Sequence, residues 1–247
     1  MATEHKLDSH KLRWRYRWRV AVFAFCAVLT FIVFGTIYAA IQTLSRLEAV
    51  ERERDQWQRP ADVIRELNLE DGSTVADLGT GVGYFALKLS IKVGRPGRVL
   101  AVDILRYPLY LLRTRALIDH RHNISTTLGD FDDPHLPVES VDAVLVANTY
   151  HELTASKAVL AHLHQSLKRG GRLVVLDHAA RLSGSSSRQA EAAHHEISPV
   201  EVEDELLGGG FEILKRDDHF VDRTSEDHRP QGSGVATLAG TRRAAWL

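Results

Sequence analysis

The sequence has little cysteine, no charge imbalance and no internal repeat. Its one cysteine, Cys26, excludes an internal disulfide framework and a zinc site built from cysteines. Lysine plus arginine number 31 against 32 for aspartate plus glutamate, so the net charge of −1 provides no basic surplus for nucleic acid. With 247 residues, 44% of them hydrophobic, the chain is long and apolar enough for one folded domain with appendages.

Charge is absent from one long segment, residues 20–41, which is rich in Val, Ala, Phe, Leu and Ile. As a helix it can cross a hydrocarbon core of about 30 Å. Trp18 precedes the segment and Tyr38 lies near its far end, where interfacial aromatic residues are common. The run is longer than the roughly 7–15 apolar residues of a signal peptide, and the sequence from Tyr38 to Ala40 is a poor small-x-small cleavage site because Tyr38 is bulky. We therefore predict an uncleaved, single-pass helix in a bacterial inner membrane.

Charged segments flank this apolar run. Residues 1–19 form a basic tail, and residues 42–59 form a charged stretch that we predict to be a helical linker. Glu48 and Arg52 in this stretch have the i,i+4 spacing of a helical ion pair. Pro60 favours a helix start, because proline is well tolerated at the first helical position. We therefore predict that the folded domain comprises residues 60–247.

The most informative segment joins a strand to a helix. An apolar run from Val75 ends at Asp77, and Gly79, Gly81 and Gly83 follow at alternate positions. Such a turn lets the backbone approach a nucleotide-like ligand, because a Cβ there would block the approach or forbid the dihedral angles. Asp103 ends a second apolar strand about 20 residues later, where a carboxylate meets ribose hydroxyls in nucleotide sites. The dinucleotide pattern G-x-G-x-x-G is not met, because Tyr84 occupies its third glycine position.

The order D-x-G-x-G-x-G resembles motif I of the class I S-adenosylmethionine (SAM) dependent methyltransferases. The resemblance implies that Asp103 binds the ribose of SAM, that Asp130 accepts a hydrogen bond from the adenine amino group, and that Phe131 lies against the adenine ring. The segment from Leu167 to Leu173 is similar to the family's L-K-P-G-G-x-L signature, with Arg169 in place of proline. SAM is therefore the expected cofactor. The residues expected to bind it are Asp77, Gly79, Thr80, Gly81, Gly83, Tyr84, Asp103, Ile104, Asp130, Phe131 and Asn148.

From residue 60 onward, strand and helix signals alternate, which predicts an α/β fold with a parallel sheet. The resemblance adds that the fold is Rossmann-like, with a mostly parallel, seven-stranded sheet whose last strand is antiparallel. Strands are predicted at 74–77, 98–103, 124–128, 141–147, 172–176, 211–217 and 234–240. Helices are predicted at 61–67, 84–93, 108–120, 156–168 and 200–208.

Polar residues follow the strand predicted at 141–147. Ligands bind beyond the carboxyl ends of strands in open α/β sheets, so this segment is expected to border the methyl-transfer centre. An oxygen or activated-carbon acceptor needs a base, and histidine titrates in the useful range. We therefore predict His151 as the base, with Tyr150 as a second catalytic residue; orienting the substrate is the alternative for His151. No metal site is predicted, because His178, His194 and His195 lack a tight ligand spacing such as H-E-x-x-H.

Together these features predict a membrane-anchored methyltransferase that acts on a small, possibly lipid-like or membrane-associated acceptor. The domain most resembles the bacterial branch that includes ubiquinone/menaquinone C-methyltransferases. The alternative is a non-catalytic SAM-binding or membrane scaffold protein. Nucleic acid is not an expected partner, since no N-P-P-[YF] sequence follows the fourth strand.

Two features of the sequence are harder to place. The basic tail predicts, by the positive-inside rule, that the domain lies across the membrane from the cytoplasm, whereas the cytosolic origin of SAM favours the opposite face. The sequence therefore leaves open on which side of the membrane the domain lies. It also does not determine the oligomeric state. The serine-rich stretch 181–189 is predicted to be a mobile loop near the site that could act as a lid.

Overall fold

The computed structural model describes residues 4–180, 193–221, 233–240 and 243–246; at 4–13, 219, 221 and from 233 onward it describes the backbone alone. The serine-rich stretch 181–189 lies outside the described residues. The chain forms two compact units, Met1–Gln56 and Trp57–Leu247.

The first unit consists of a single long helix. Helix α1 runs without a break from Glu4 to Gln58, so its last two residues belong to the second unit. Its most apolar 18-residue window has a mean hydropathy of 2.6, which by length and composition suffices to cross a membrane. Large apolar side chains such as Phe23 and Phe31 are 76% and 80% exposed. The Thr30 hydroxyl donates a 2.8 Å hydrogen bond to the carbonyl of Cys26, so it is satisfied within the helix.

The second unit is built on an eight-stranded sheet with the order β3-β2-β1-β4-β5-β7-β6-β8. Strands β3, β2, β1, β4 and β5 are all parallel to their neighbours. Strand order reverses between β1 and β4, which makes the carboxyl ends of these two strands the switch point where ligands bind in such sheets. The strands are β1 (Thr74–Leu78), β2 (Arg98–Asp103), β3 (Ile124–Leu128), β4 (Val141–Ala147), β5 (Leu167–Asp177), β6 (Glu212–Val221), β7 (Ser233–Gly240) and β8 (Arg243–Trp246).

The expectation of seven strands is corrected by β8. Strand β7 is antiparallel to β5 and β6, as predicted for the seventh strand. The last strand in the chain is instead β8, which is parallel to β5 and β6 and antiparallel to β7. Sequence patterns miss it because Arg243–Trp246 is short and contains two alanines and no β-branched residue.

Strand β5 also begins earlier than predicted. The preceding helix ends at Ser166, and the buried Leu167 already pairs with Val141 of β4. The register then shifts, so that Arg172 pairs with Ala143. A Cβ on Gly171 would lie 2.9 Å from the carbonyl oxygen of Lys168 and 3.0 Å from that of Asp142. Gly170 and Gly171 therefore lie within the irregular first part of β5, and the preceding helix has already ended at Ser166.

Helices cover both faces of the sheet, and the core forms two apolar layers. Strand β4 is buried on both faces: Leu145 belongs to the core on one face, while Val144 and Val146 belong to the core on the other. This agrees with the apolar run expected of a central parallel strand. Among the described residues, the helices of this unit include α2 (Pro60–Glu66), α3 (Tyr84–Lys92), α4 (Arg106–Ile118), α5 (Ser156–Ser166) and α6 (Pro199–Gly208), and a 3-10 turn spans Tyr150–Glu152.

Candidate functional site

A cavity of about 310 Å³ opens at the carboxyl ends of β1, β2 and β4. Its volume lies at the lower end of the range of about 300–1,000 Å³ that is typical of small-molecule sites. Most of the predicted cofactor residues meet there, although they come from separate parts of the chain. The predicted residues that line it are Gly79, Gly81, Asp103, Ile104, Asp130, Phe131 and Asn148.

A larger depression of about 640 Å³ lies at the amino ends of β2 and β3. It contains none of the predicted site residues, and Arg95, Arg98 and Arg121 are among its lining residues. Because ligands of open α/β sheets bind at the carboxyl ends of the strands, the smaller cavity is the candidate site.

The glycine loop has the geometry that the sequence predicts, and its three glycines are needed for two different reasons. Gly79 and Gly83 have φ angles of +71° and +92°, and an added Cβ would overlap the side chains of Thr149 and Leu112 respectively. Gly81 has a φ of +55°, yet a Cβ there would meet no protein atom within 4 Å. The space beside Gly81 is the cavity itself. Gly79 and Gly83 therefore permit close packing of the protein, whereas Gly81 leaves room for a ligand.

Two carboxylates hold the ends of this loop. The Asp77 carboxylate, 2% exposed, accepts a 2.7 Å hydrogen bond from the Thr80 hydroxyl, behind the loop. The Asp103 carboxylate accepts hydrogen bonds of 2.9 Å from the backbone N–H groups of Gly81 and Leu105. Each Asp103 oxygen thus has one protein donor and keeps a second lone pair for a ligand hydroxyl at the cavity.

Apolar and acidic side chains flank the far part of the cavity. Ile104 and Phe131 are 44% and 70% exposed, so both leave apolar surface open at the cavity that they line. Asp130 lies beside Phe131, and its carboxylate is 3.0 Å from Nε2 of His135. An aromatic ligand between Ile104 and Phe131 would cover both apolar surfaces and place its polar edge near Asp130.

The end of β4 carries a backbone conformation that is rare outside glycine. Asn148 has a φ of +52°, a region that asparagine tolerates better than most residues. Its side-chain oxygen accepts a 3.2 Å hydrogen bond from Nε2 of the fully buried Gln58, at the end of α1. Asn148 is therefore held in place, and strained backbone of this kind clusters at functional sites.

Four residues predicted to bind the cofactor do not line the cavity. Asp77 and Thr80 lie behind the glycine loop and bond to each other. Gly83 packs against α4, and Tyr84 is 5% exposed with its ring packed edge-on against Phe85. Their positions give them a supporting function in the loop, whereas direct contact with a ligand stays a prediction.

Tyr150 lies away from the cavity. It is fully buried, and its hydroxyl donates a 2.7 Å hydrogen bond to Oε2 of Glu205 on α6. The Ser156 hydroxyl donates to the other oxygen of the same carboxylate at 2.8 Å. Tyr150 thus links the 3-10 turn to α6. This geometry favours a structural role for Tyr150, in positioning the turn, over a direct catalytic one.

His151 is held by a buried carboxylate. The Nδ1 atom of His151 lies 2.8 Å from Oδ1 of Asp177, and the His151 backbone N–H donates to Oδ2 of Asp177 at 3.0 Å. Both residues are almost completely buried, at 4% and 0% exposed. The other ring nitrogen, Nε2, lies 3.1 Å from Nδ1 of His195 and 3.7 Å from Oε1 of Glu152.

Several of these residues are not among the predicted site residues. Thr149 and Glu152 line the cavity and directly adjoin the predicted residues, so the carboxyl-end rule pointed to their segment. Asp177 ends β5, at the same edge of the sheet, and could have been found by the same rule. His195 could not, because 44 residues separate it from His151 and only the fold brings them together.

Comparisons with known proteins find a methyltransferase domain in the same part of the chain. The family model described as "Methyltransferase domain" matches residues 76–175, which include the glycine loop, Asp103 and the end of β4. The demethylmenaquinone methyltransferase of Oceanobacillus iheyensis is 21% identical over 145 residues, 59% of this chain and 60% of that protein. The ubiquinone/menaquinone biosynthesis C-methyltransferase UbiE of Hahella chejuensis is 29% identical over 147 residues, 59% of this chain and 57% of that protein. The chain thus spans about 60% of the length of these relatives.

Solved structures show the same fold. A SAM-dependent methyltransferase from Aquifex aeolicus superposes with a TM-score of 0.57 at 25% identity, over 64% of this chain and 82% of that one. Phosphoethanolamine N-methyltransferase 2 of Haemonchus contortus was solved with SAM bound. It superposes with a TM-score of 0.57 at 15% identity, over 66% of this chain and 39% of that one. At this identity the similarity shows a shared fold only. The predicted Rossmann-like α/β fold is therefore confirmed. Residues 76–175 match a methyltransferase domain, and the domain resembles SAM-dependent methyltransferases, for which SAM is the methyl donor.

Proposed function

We propose that this chain, with its SAM-dependent methyltransferase domain, moves a methyl group from SAM to a small acceptor at the carboxyl end of β4. The observation that carries the proposal is a hydrogen bond of 2.9 Å from the backbone N–H of Gly81 to the carboxylate of Asp103. It connects the glycine loop to the acid expected at the ribose, and both residues line the same cavity. The methyl donor determines the reaction, which is substitution at a sulfonium methyl group.

The cavity walls suggest how SAM is held. The unused lone pairs of Asp103 accept hydrogen bonds from the ribose hydroxyls. The adenine lies between the exposed side chains of Ile104 and Phe131, with its amino group near Asp130. The open space beside Gly81 accommodates the part of SAM that crosses the loop. In this arrangement Asp77 and Thr80 stabilise the loop from behind.

The acceptor side is formed by the segment after β4. Asn148, Thr149 and Glu152 line the cavity there. We infer that His151 activates the acceptor, because Asp177 fixes its ring and leaves Nε2 directed toward His195 and Glu152, of which Glu152 lines the cavity. Methyl transfer is in-line, so alignment of the nucleophile with the sulfonium methyl is the main requirement. Tyr150 contributes by holding the turn that carries His151.

The long apolar helix supports a membrane location. We propose that residues 20–41 cross the membrane, with residues 1–19 as a basic tail, 42–59 as a charged linker and 60–247 as the catalytic domain. Exposed phenylalanines along this helix would be costly in water and favourable in lipid. Apolar side chains also surround the cavity: Leu105 is 59% exposed and Phe131 is 70% exposed. A lipid-like or membrane-associated acceptor suits both features.

Transfer of radiolabel tests this function. The full-length protein in detergent, incubated with methyl-labelled SAM and a membrane lipid extract, is expected to place label in an organic-soluble product. Asp103→Ala should lower the transfer at SAM concentrations that just saturate the wild type, and higher SAM concentrations should restore part of it. SAM binding without any transfer to lipid or soluble small-molecule fractions would instead identify a non-catalytic SAM-binding protein.

A further inference from the structure

We propose that His151, Glu152 and His195 bind a divalent transition-metal ion of the zinc class beside the cofactor cavity. Each residue offers one ligand atom, and these atoms all lie within 4.8 Å of one another. The Nε2 atom of His151 is 3.1 Å from Nδ1 of His195 and 3.7 Å from Oε1 of Glu152. Ligands at about 2.0–2.2 Å from a tetrahedral Zn²⁺ are separated by roughly 3.3–3.6 Å, so the two separations that involve His151 are already close to that spacing.

Asp177 prepares His151 for such an ion. Metal-binding histidines commonly donate their other ring N–H to a carboxylate, which fixes the tautomer and the ring orientation. The fully buried Asp177 is 2.8 Å from Nδ1 of His151, so Nδ1 carries the proton and Nε2 presents its lone pair toward His195 and Glu152. Backbone N–H groups of His151 and His178 also donate to this carboxylate, at 3.0 Å and 2.8 Å, which holds it rigidly.

The ligand set selects the class of ion. Two imidazoles and one carboxylate suit Zn²⁺ or Fe²⁺, whereas Mg²⁺ and Ca²⁺ prefer oxygen ligands throughout. Three protein ligands leave a coordination position open, which is characteristic of catalytic rather than structural sites. His151 is buried, whereas the side chain of Glu152 is 61% exposed and lines the cofactor cavity. The Glu152 side of the ligand set therefore faces the cavity in which we place the acceptor.

The role assigned to the ion rests on the proposed function. An acceptor hydroxyl bound to the ion loses its proton to solvent at a lower pH than it would in water. The resulting oxyanion attacks the methyl carbon of SAM and forms the new C–O bond. The S–C bond breaks, its electron pair goes to sulfur, and S-adenosylhomocysteine leaves. The oxidation state of the ion does not change.

Metal titration of the full-length protein in detergent tests the site. After removal of metal with a chelator, Zn²⁺ or Co²⁺ is added alone and binding is followed by calorimetry and, for Co²⁺, by its visible absorption. We expect one tight site per chain that is lost in His195→Ala and weakened in Glu152→Gln. Asp177→Asn should weaken it by about 10- to 100-fold, as for other partners of metal-bound histidines. His194→Ala is the matched control, because His194 adjoins the ligand set without belonging to it.

The outcomes separate the site from the reaction. Unchanged metal affinity in His195→Ala, or no saturable binding in the wild type, would overturn the site. Tight binding that changes neither the rate nor the pH profile of label transfer would overturn the ion's role in the reaction. Tight, His195-dependent binding in a protein that transfers no label would uphold the site and refute the proposed function alone.

Discussion

The carboxylate of Asp103, at the end of β2, accepts a 2.9 Å hydrogen bond from the backbone N–H of Gly81, at the tip of the loop after β1. The two residues are 22 positions apart in sequence, and β1 and β2, the strands that lead to them, are parallel neighbours in the sheet. The hydrogen bond fixes the acid that would hold the ribose relative to the loop that leaves space for the rest of SAM. Substitution of either residue should therefore change the affinity for SAM rather than the rate of the chemical step.

Asp103→Ala is expected to raise the dissociation constant for SAM by about 10- to 100-fold, because hydrogen bonds to a charged group contribute about 1.5–3 kcal/mol each. Calorimetry with SAM and with S-adenosylhomocysteine measures the change. Asp103→Asn should fall between the alanine variant and the wild type, since it keeps one acceptor oxygen. An unchanged affinity in Asp103→Ala would show that the ribose site is misassigned.

Gly81→Ala is expected to weaken SAM binding more than it weakens the fold. Gly170→Ala is the matched control, because both glycines have a positive φ, +55° and +75°, and neither has a protein atom within 4 Å of an added Cβ. Both variants should lose about 1 kcal/mol of folding free energy through backbone strain. Only Gly81→Ala should lose SAM affinity, and equal affinities in the two variants would contradict the placement of the ligand.

His151→Ala is expected to leave SAM affinity unchanged and to lower turnover by at least about 10²-fold, the lower end of what a group that activates the nucleophile contributes. Tyr150→Phe provides the contrast. Its lost hydrogen bond to the buried end of Glu205 should reduce the free energy of unfolding by about 1–3 kcal/mol while most of the activity is kept. If His151→Ala turned over at the wild-type rate, His151 would have no role in catalysis.

Residues 20–41 are expected to stay in the mature protein as a transmembrane helix. Carbonate extraction of membranes should leave the full-length chain in the pellet, because a helix of this length and hydropathy is inserted rather than adsorbed. Two arginines placed in the middle of the segment, at Ala27 and Leu29, should release it, since each charge costs about 2.5–3.5 kcal/mol at the centre of a membrane helix. A soluble mature protein beginning near Ile41 would identify a cleaved signal peptide instead.

Asp62 is expected to make stability at the start of the domain depend on pH. Burial raises the pKa of Asp62, but hydrogen bonds and charges from Arg59 and Arg65 lower the pKa by more, so it lies below its usual range. The ionised carboxylate therefore stabilises the folded state above the pKa of the unfolded chain, about 3.9, and this contribution is lost as the pH falls through the lower folded value. Asp62→Asn should cost up to about 1 kcal/mol at pH 7 and nothing at strongly acidic pH. Denaturant unfolding at both pH values measures the difference.

Much of the fold was readable from sequence because strong local patterns coincide with tertiary needs. β2, β3 and β4 have the predicted bounds, since each is an apolar or β-branched run between clear turn signals. The predicted bounds were wrong where a residue with a local preference for helix pairs with a neighbouring strand instead. Leu167 lies next to a helical sequence, yet its burial against Val141 places it in a strand.

The site was predictable where function is encoded in spacing along the chain. The glycine loop, Asp103 and the polar residues after β4 follow from the position of each strand end. Side-chain direction was not predictable, and residues two positions apart differ: Asn148 lines the cavity, whereas Tyr150 is buried and bonds to Glu205 on α6. The approach of His195 to His151 depends on how the segment before α6 returns to the sheet, which no local pattern records.

Transfer of label from methyl-labelled SAM tests the central claim most directly. The account predicts that the full-length protein forms a labelled small-molecule product from a membrane extract, together with one S-adenosylhomocysteine per methyl group. It also predicts that Asp103→Ala fails for lack of SAM binding and that His151→Ala fails although SAM is bound. No labelled product from a wild-type protein that binds SAM tightly, tested against both lipid and soluble fractions, would contradict the claim that this chain transfers methyl groups to a small molecule.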